Sequence, residues 1–341
     1  MGRGAKALLA AAAGAVVLAA ASAAGAWYAW RMLNTPLVLE ERAWLDVPSG
    51  TPLRRVSEDL AERGLLRQPW LLTAYGRLTG QATHIHAGEY ELVPGTTPVS
   101  LLDQLVAGQV YLHQVTVVEG SRFADFLAAL RKHPAVTATT LTPEEIMAEL
   151  GRPGVHPEGM FFPDTYRFPR GTRDIDVLRT AYEAMQRHLQ EAWEARSDDV
   201  AVKTPYEALI LASIVEKETG LASERPLIAG VFHERLRRGM RLQTDPTVIY
   251  GLGDRFDGNL RRRDLEADTP YNTYVRSGLP PTPIALPGAA SLAAAVAPAK
   301  TDALYFVASG RGDGSHVFSA TLEEHNRAVR ALIERTAELQ R

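Results

Sequence analysis

The stretch of residues 204–220, TPYEALILASIVEKETG, decides the fold because it predicts a helix that is apolar on almost every side. Thr204 suits the N-cap of this helix, Pro205 suits its first position, and Glu207 completes a capping box with the threonine. Gly220 is typical of a helix C-cap. A helix without a polar face has to be buried, so we expect a large part of the chain to pack around it.

Two glutamates lie at the end of this predicted helix, and either could carry out proton transfer. Glu218 follows Ile214 by one turn, so its carboxyl group is expected to lie over an apolar surface. Burial there raises a carboxyl pKa toward the range that a general acid needs near neutral pH. Glu216 lies about 200° away around the helix and shares a face with Ser213. The residues alone leave the two glutamates as nearly equal candidates, and the simpler interpretation is two solvated charges at a helix end.

A second helix is predicted directly after the first one. Ser223 can cap its start, Pro226 falls in its first turn, and Gly239 ends it after three arginines.

Three polar segments follow and are predicted to form loops: 240–247 (MRLQTDPT), 270–274 (PYNTY) and 278–281 (GLPP). Their amide groups, at Gln243 and Asn272, can bind hydroxyl and N-acetyl groups, and their aromatic rings can stack on sugar faces. Together the loops favour a sugar-binding site, although each one alone is more often an ordinary turn.

The N-terminus predicts a membrane segment. Arg3 and Lys6 precede a run of 24 uncharged residues, 7–30, which as a helix would reach about 36 Å and span a bilayer. Trp27 and Trp30 crowd the far end, as in an interfacial aromatic belt. Basic residues at the start place residues 1–6 in the cytoplasm and the rest of the chain outside it. The alternative is a cleaved signal peptide, since the small residues at 21–23 and 24–26 suit a cleavage site.

The rest of the chain predicts an α+β fold in two parts. After a linker at 31–43, strand–helix–helix–strand signals over 44–115 indicate a small α+β module, with a turn at 94–95 and a helix that stops at Gly108. The larger part, 116–341, has predicted helices at 123–130, 143–150 and 177–195, with an aromatic loop at 161–166.

Composition excludes several classes of function. The net charge of −3 argues against a nucleic-acid partner, and the absence of cysteine excludes disulfides, thiolate-bound metals and thiol nucleophiles. His84 and His86 are two residues apart and His233 stands alone, so none has the spacing of metal ligands. We therefore expect no metal and no cofactor, and interpret these histidines as surface or packing residues.

Several strings resemble, in the right order, the motifs of the endolytic murein transglycosylase family, also called YceG-like. They are ASIVEKET at 212–219, ASER at 222–225, RLQTDPTVIYG at 241–251, YNTY at 271–274, GLPP at 278–281, PAK at 298–300, LYFV at 304–307 and EHN at 324–326. The length, the N-terminal segment and the small module also fit, so the resemblance covers nearly the whole chain. Thr282 departs from the pattern, because glycine is expected after the double proline.

The resemblance implies that Glu218 is the catalytic acid/base of a lytic transglycosylase. Such an enzyme cleaves the bond between N-acetylmuramic acid and N-acetylglucosamine within nascent peptidoglycan strands and leaves 1,6-anhydro ends. The implied arrangement is a single-pass anchor at 7–30 in the inner (cytoplasmic) membrane, an extracytoplasmic LysM-like peptidoglycan-binding module at 44–115, and a catalytic domain at 116–341. Implied partners are glycan strands and peptidoglycan synthases. Candidate substrate-binding residues are Ser213, Glu216, Gln243, Thr244, Asp245, Tyr250, Asn272 and Tyr274.

Two other functions stay open at this point. The chain could be a non-catalytic peptidoglycan-binding scaffold for wall synthases, although the intact Glu218 argues against it. It could also be an inverting glycoside hydrolase, which needs a second carboxylate to activate water. Asp245 and Glu224 are the nearest candidates for that second group.

Overall fold

The computed structural model describes residues 3–339. Residues 1 and 2 of the predicted cytoplasmic tail, and residues 340 and 341 at the end of the predicted catalytic domain, therefore lie outside the described residues. The chain divides into two compact units. The first comprises residues up to 113 together with 168–170, and the second comprises 114–167 together with the residues from 171 onward. Both units contain helices and short strands, as expected of an α+β chain.

The first unit begins with the long apolar helix α1 (Arg3–Leu33). Its segment Leu8–Leu33 has 26 residues and a mean hydropathy of 2.0, so by length and composition it is able to cross a membrane. The predicted span at 7–30 is therefore part of a longer helix that continues through the aromatic residues to Leu33.

The predicted linker at 31–43 is confirmed for residues 34–42, which form no helix or strand, and is wrong at its ends, because α1 continues to Leu33 and β1 begins at Ala43. This connection is attached to the small unit. Leu33 and Leu37 are both buried. The backbone N–H of Leu37 donates to the carbonyl of Thr96 (2.8 Å), and that of Val38 donates to the carbonyl of Leu65 (3.0 Å). Burial of the two leucines stabilises this attachment, which the sequence pattern alone did not indicate.

The remainder of the first unit follows the predicted order of elements. These are β1 (Ala43–Val47), α2 (Leu53–Glu62), α3 (Pro69–Leu78), β2 (Gly88–Leu92) and α4 (Pro98–Ala107). The two strands are antiparallel, with Leu45 opposite Tyr90. Their inner faces and the three helices enclose one core, built from Leu45, Leu53, Leu60, Leu72, Tyr90, Leu92, Leu101, Leu102 and Leu105. Gly108 ends α4 in the left-handed conformation, as predicted.

The second unit contains more helices, with short two-stranded sheets between them. Its elements are β3 (His113–Thr116), α5 (Phe123–Lys132), β4 (Val136–Thr137), α6 (Pro143–Glu149), β5 (Thr165–Phe168), β6 (Thr172–Arg173), α7 (Asp174–Glu194), α8 (Pro205–Glu218), α9 (Arg225–Arg237), α10 (Asp245–Leu252), α11 (Arg262–Glu266), α12 (Ala289–Val296), β7 (Tyr305–Ala308), β8 (His316–Ser319) and α13 (Leu322–Leu339). Strands β3 and β5 pair, β4 and β6 pair in parallel, and β7 and β8 form an antiparallel hairpin.

Helix α8 is the centre of the second unit. It packs against α7, α9, α10 and α12. All its residues from 208 to 215 are buried, which confirms that a helix without a polar face lies in the core. Thr204 caps it by accepting a hydrogen bond from the backbone N–H of Glu207 (3.1 Å), and its C-terminal end carries the two candidate glutamates.

Three predicted boundaries near this helix are wrong. Gly220 does not cap α8, because the backbone is already extended at Thr219, whose hydroxyl accepts from the N–H of Leu221 (3.0 Å). Helix α9 has Glu224 rather than Ser223 at its N-cap. The segment predicted as a loop at 240–247 ends at the start of α10, which begins at Asp245. Proline in the first turn of a helix is the signal that marks this start.

Candidate active site

A polar cleft of about 450 Å³ opens in the second unit at the end of α8. One wall comes from Glu218 and the segment 242–245, together with Tyr274. The facing wall comes from the β7–β8 hairpin and the start of α13, with Tyr305, His316, His325 and Asn326 among its residues. The cleft therefore collects side chains from segments that are far apart in the sequence.

Glu218, the last residue of α8, lies in this cleft, directly after the buried turn that contains Ile214. Burial raises the pKa of its carboxyl group to about 7. The hydroxyl of Thr244 donates a hydrogen bond to the Oε1 atom and lowers the pKa, while the nearby charge of Asp245 raises it. A carboxyl group that titrates near neutral pH can both donate and accept a proton under physiological conditions.

Glu216 differs from Glu218 because its carboxylate is already engaged. Its Oε1 atom forms an ion pair with Arg225 (3.0 Å), and its Oε2 atom accepts from the backbone N–H of Gly288 (3.0 Å). The side chain is only 5% exposed. Glu216 thus connects α8 to the start of α9 and to the residue before α12, and it does not line the cleft around Glu218. The structure distinguishes the two glutamates that the sequence left equal.

Thr244 is held in place by two other buried threonines. Its backbone N–H donates to the hydroxyl of Thr273 (3.1 Å), and its carbonyl accepts from the hydroxyl of Thr247 (2.8 Å). The preceding residue, Gln243, has a positive φ of 53°, a conformation that costs energy for a residue with a side chain. This backbone turn and the threonines together aim the Thr244 hydroxyl at Glu218.

Asp245 and Tyr274 form a pair at the edge of the cleft. The Tyr274 hydroxyl donates to the Oδ1 atom of Asp245 (2.6 Å). Asn272 is fully buried and holds the loop that carries Tyr274. Its side-chain amide donates to the carbonyls of Asp264, Leu265 and Ala267, and its Oδ1 accepts from the N–H of Tyr274 (2.9 Å).

Two further candidates lie outside this cleft. Ser213 is fully buried in α8, where its hydroxyl donates to the carbonyl of Ile210 (2.7 Å) and accepts from the N–H of Ile284 (3.0 Å). Tyr250 lies on α10, and its hydroxyl donates to the buried carboxyl group of Glu158 (3.1 Å). Both side chains connect elements of the unit.

Arg235 is a cleft residue to which the sequence analysis gave no role. It lies on α9 and is nearly buried. Its guanidinium donates to the carbonyls of Leu304 (2.6 Å) and Leu242 (2.7 Å) and to the side chain of Gln243 (3.2 Å). The contact fixes the strained turn at Gln243 against the hairpin wall. The arginine run at the end of α9 was interpreted only as a favourable charge at a helix end.

His316 is a second cleft residue that sequence reasoning missed. Its Nδ1 atom lies 2.7 Å from the Oε2 atom of Glu224, and its backbone N–H donates to the Oε1 atom (2.9 Å). A carboxylate only accepts hydrogen bonds, so Nδ1 carries the proton and Nε2 is the remaining polar atom of a ring that lines the cleft. Glu224, considered above as a second carboxylate, is therefore the partner of this imidazole.

The histidines outside the cleft are placed as follows. His233 is fully buried; its Nδ1 accepts from the N–H of Ala201 (2.9 Å) and its Nε2 lies 2.8 Å from the carbonyl of Ala295, so it is a packing histidine as predicted. His84 contacts the carbonyl of Gly80 (2.9 Å) at the surface.

The fold and the site define an α+β protein with an N-terminal apolar helix and one desolvated carboxyl group in a polar cleft. The chain belongs to the YceG-like family, whose sequence model matches residues 45–331.

Two relatives that are named endolytic murein transglycosylases support this membership. An endolytic murein transglycosylase of Bacillus subtilis (strain 168) is 32% identical over an alignment of 305 positions, and the match covers 83% of this chain and 83% of the relative. An endolytic murein transglycosylase of Streptococcus pneumoniae (serotype 2, strain D39) is 26% identical over an alignment of 318 positions, and the match covers 83% of this chain and 57% of that longer protein. A crystal structure of a YceG-like protein from Listeria monocytogenes covers 85% of this chain and 99% of its own, with 28% identity and a TM-score of 0.49.

Proposed function

We propose that this protein is a peptidoglycan lytic transglycosylase in which Glu218 is the acid/base. Membership of the YceG-like family and the names of the curated relatives support this reaction class. The observation that carries the assignment to Glu218 is its environment: a partly buried carboxyl group with a pKa of about 7 in a polar cleft. Glu216, the other candidate, is committed to an ion pair.

The proposed reaction needs one carboxyl group. The protonated Glu218 donates its proton to the oxygen that links C1 of N-acetylmuramic acid to N-acetylglucosamine, and the C1–O bond breaks. The resulting carboxylate then takes the proton of the muramic 6-hydroxyl while that oxygen bonds to C1. The products are a 1,6-anhydro end and a strand that begins with N-acetylglucosamine. Water is not consumed, and Glu218 is protonated again for the next cycle.

The cleft residues are the proposed substrate contacts. Gln243, Thr244, Asp245 and Tyr274 line the cleft with Glu218, and His316 lines it from the β7–β8 hairpin. Amide, hydroxyl and carboxylate groups of this kind bind sugar hydroxyl and N-acetyl groups. We assign Thr244 the additional role of orienting the Glu218 carboxyl group through its hydrogen bond.

The other candidates are proposed to position the site. Glu216 and Ser213 connect α8 to the residues around Gly288 and Ile284, and Asn272 shapes the loop that presents Tyr274. Tyr250 fixes α10 through Glu158. Their contacts lie within the protein, so their substitution is expected to act through the geometry of the cleft.

We propose that α1 is a single-pass anchor in the inner membrane, with both units on the extracytoplasmic side. Its length and apolar composition support the span. The small unit, with two strands and three helices, is the proposed LysM-like peptidoglycan-binding module, and 116–341 is the proposed catalytic domain. Cleavage within nascent strands and work beside peptidoglycan synthases belong to the same proposal. Co-purification of a synthase with the full-length protein tests the partner directly.

The decisive experiment compares the soluble products of full-length wild type and Glu218→Gln after digestion of uncrosslinked peptidoglycan strands. Both proteins are purified in detergent, and the products are identified by mass spectrometry. Wild type should release fragments with 1,6-anhydro ends, and the variant should release none. Glu191→Gln, an exposed glutamate on α7, is the matched control and should retain full activity.

Each other outcome has a defined meaning. Reducing ends from wild type would indicate hydrolysis, and binding without products would indicate a scaffold. Anhydro products from both wild type and Glu218→Gln would move the acid/base role away from Glu218 and require the same experiment with Glu216→Gln.

A further inference from the structure

The end of α1 and the start of α3 lie side by side within the small unit. Helix α1 packs against α3. A small apolar cavity between them is lined by Met32 and Leu33 on one side and by Arg67, Gln68 and Leu71 on the other. The first turn of α3 is therefore adjacent to the last turn of the apolar helix, although more than 30 residues separate them in the sequence.

Two exposed side chains of opposite character occupy this part of the surface. Trp70, in the first turn of α3, is 60% exposed, although indole rings are usually largely buried. Arg67 is exposed, and among residues 3–339 no carboxylate oxygen lies within 4.0 Å of its guanidinium. Val38, which follows the end of α1, is also exposed. We call Val38, Arg67 and Trp70 the α3 patch.

The position of this patch along the α1 axis can be estimated. Leu33 lies three residues beyond Trp30, which is about 4.5 Å along a helix. The headgroup layer on each side of a bilayer is roughly 5–8 Å thick. When Trp27 and Trp30 sit at the membrane–water interface, the end of α1 still lies among the headgroups. Arg67 and Leu71 line the same small cavity as Met32 and Leu33, so the first turn of α3 lies close to the end of α1.

The joint between the helix and the unit leaves little freedom for the patch to move away. Leu33 is 7% exposed, so the end of α1 is embedded in the unit. The backbone hydrogen bonds of Leu37 to Thr96 and of Val38 to Leu65 follow within five residues. A short, hydrogen-bonded connection of this kind transmits the orientation of α1 to α3.

We propose that the α3 patch is a membrane-contact surface that rests in the lipid headgroup layer around the anchor. Trp70 inserts its ring at the interface, and the Arg67 guanidinium contacts anionic lipid phosphates. This inference rests on the proposed role of α1 as an anchor. Its consequence is that the small unit is held against the bilayer and stays close to newly made strands at the membrane surface.

The test uses full-length protein in vesicles and tryptophan fluorescence. Three variants each keep one of the five tryptophans, Trp30, Trp70 or Trp44, and replace the other four with phenylalanine. The vesicles contain phosphatidylcholine with phosphatidylglycerol, and a fraction of the lipid carries a nitroxide on its headgroup. The expected result is strong quenching of Trp30 and Trp70. Trp44 lies on β1 rather than on α3, and its ring packs edge-on against Tyr111 at 4.6 Å, so it should be quenched much less.

The controls separate this inference from the anchor itself. Quenching of Trp30 without quenching of Trp70 overturns the membrane contact but leaves the anchor intact, whereas quenching of neither overturns the anchor. Equal quenching of Trp44 and Trp70 overturns the assignment to this patch. Emission from Trp70 at short wavelength without quenching means that the ring is buried against protein and not in lipid, and it also overturns the membrane contact. In the Trp70 background, Arg67→Gln should reduce quenching in vesicles with phosphatidylglycerol and have little effect in pure phosphatidylcholine.

Discussion

Glu216 and Glu218 are the same residue type two positions apart, and their partners make them chemically different. Glu216 meets a guanidinium and a backbone N–H, which stabilise its charge. Glu218 meets the hydroxyl of Thr244 and an apolar helix end, so burial raises its pKa to about 7. The position that is suited to proton transfer is the one whose charge the protein stabilises less well.

The raised pKa of Glu218 lowers the stability of the fold when the carboxyl group is ionised, and Glu218→Gln should remove this loss. With a carboxyl pKa near 4.5 in the unfolded chain and about 7 in the folded protein, the contribution of Glu218 to stability is greatest below pH 4.5 and is lost as the pH rises through 7. The loss amounts to about 3 kcal/mol above that range. Glutamine cannot ionise, so the variant should melt at a higher temperature than wild type at pH 8 and at a similar temperature at pH 5. Glu191→Gln should show no such pH-dependent difference, and equal melting curves at both pH values would refute the burial argument.

The hydrogen bond from Thr244 lowers the pKa of Glu218, whereas burial raises it. Its hydroxyl stabilises the carboxylate and lowers the pKa of Glu218. Thr244→Val has a similar shape but no donor, so the pKa should rise, and the decline of kcat/KM at high pH should move to higher pH. Thr180→Val, on α7, removes an exposed hydroxyl that donates to the carbonyl of Asp176 (3.2 Å) and does not line the cleft. It should leave that decline in place, and an unchanged profile in Thr244→Val would count against the assigned role.

At the scale of elements, local patterns predicted helices well and their ends less well. The apolar run and the Thr204 cap specify α8 by short-range chemistry, and both are confirmed. The end of α8 depends on how Thr219 is drawn into the loop that follows, which Gly220 does not determine. The sequence analysis also missed the β7–β8 hairpin wall of the cleft, because its position depends on contacts between segments that are far apart in the sequence. His316 follows a glycine-rich segment with no pattern of its own, and only tertiary packing places it against Glu224.

Arg235 connects three of the elements that build the cleft, and Arg235→Lys should therefore disturb it. A lysine ammonium cannot reach the carbonyls of Leu304 and Leu242 and the Gln243 side chain at once, so buried acceptors lose their partners. We expect a loss of at least about 2 kcal/mol in the free energy of unfolding. Strand cleavage should fall as the Gln243 turn relaxes. Arg238→Lys, at the exposed end of the same helix, should change neither the free energy of unfolding nor strand cleavage. A fully stable and active Arg235→Lys would show that the hydrogen bonds of Arg235 are dispensable.

At the scale of the whole molecule, the sequence correctly predicted an apolar N-terminal helix followed by mixed helices and strands, because hydropathy and periodicity are local properties. It did not predict that the connection between the apolar helix and β1 packs against the small unit. That attachment depends on the burial of Leu33 and Leu37 among residues from α3 and from the segment before α4. Contacts of this kind arise only when distant segments meet.

The proposed anchor predicts that the N-terminal segment is retained and not removed as a signal peptide. Residues 21–26 lie within α1, which continues to Leu33 and ends embedded in the small unit. Cleavage after residue 23 or 26 would leave a helix stump with exposed Trp27 and Trp30. We therefore expect mass spectrometry of the protein from the membrane fraction to show an intact N-terminal segment. A mature form that starts at residue 24 or 27 and is released from the membrane would contradict both the anchor and the membrane contact of the α3 patch.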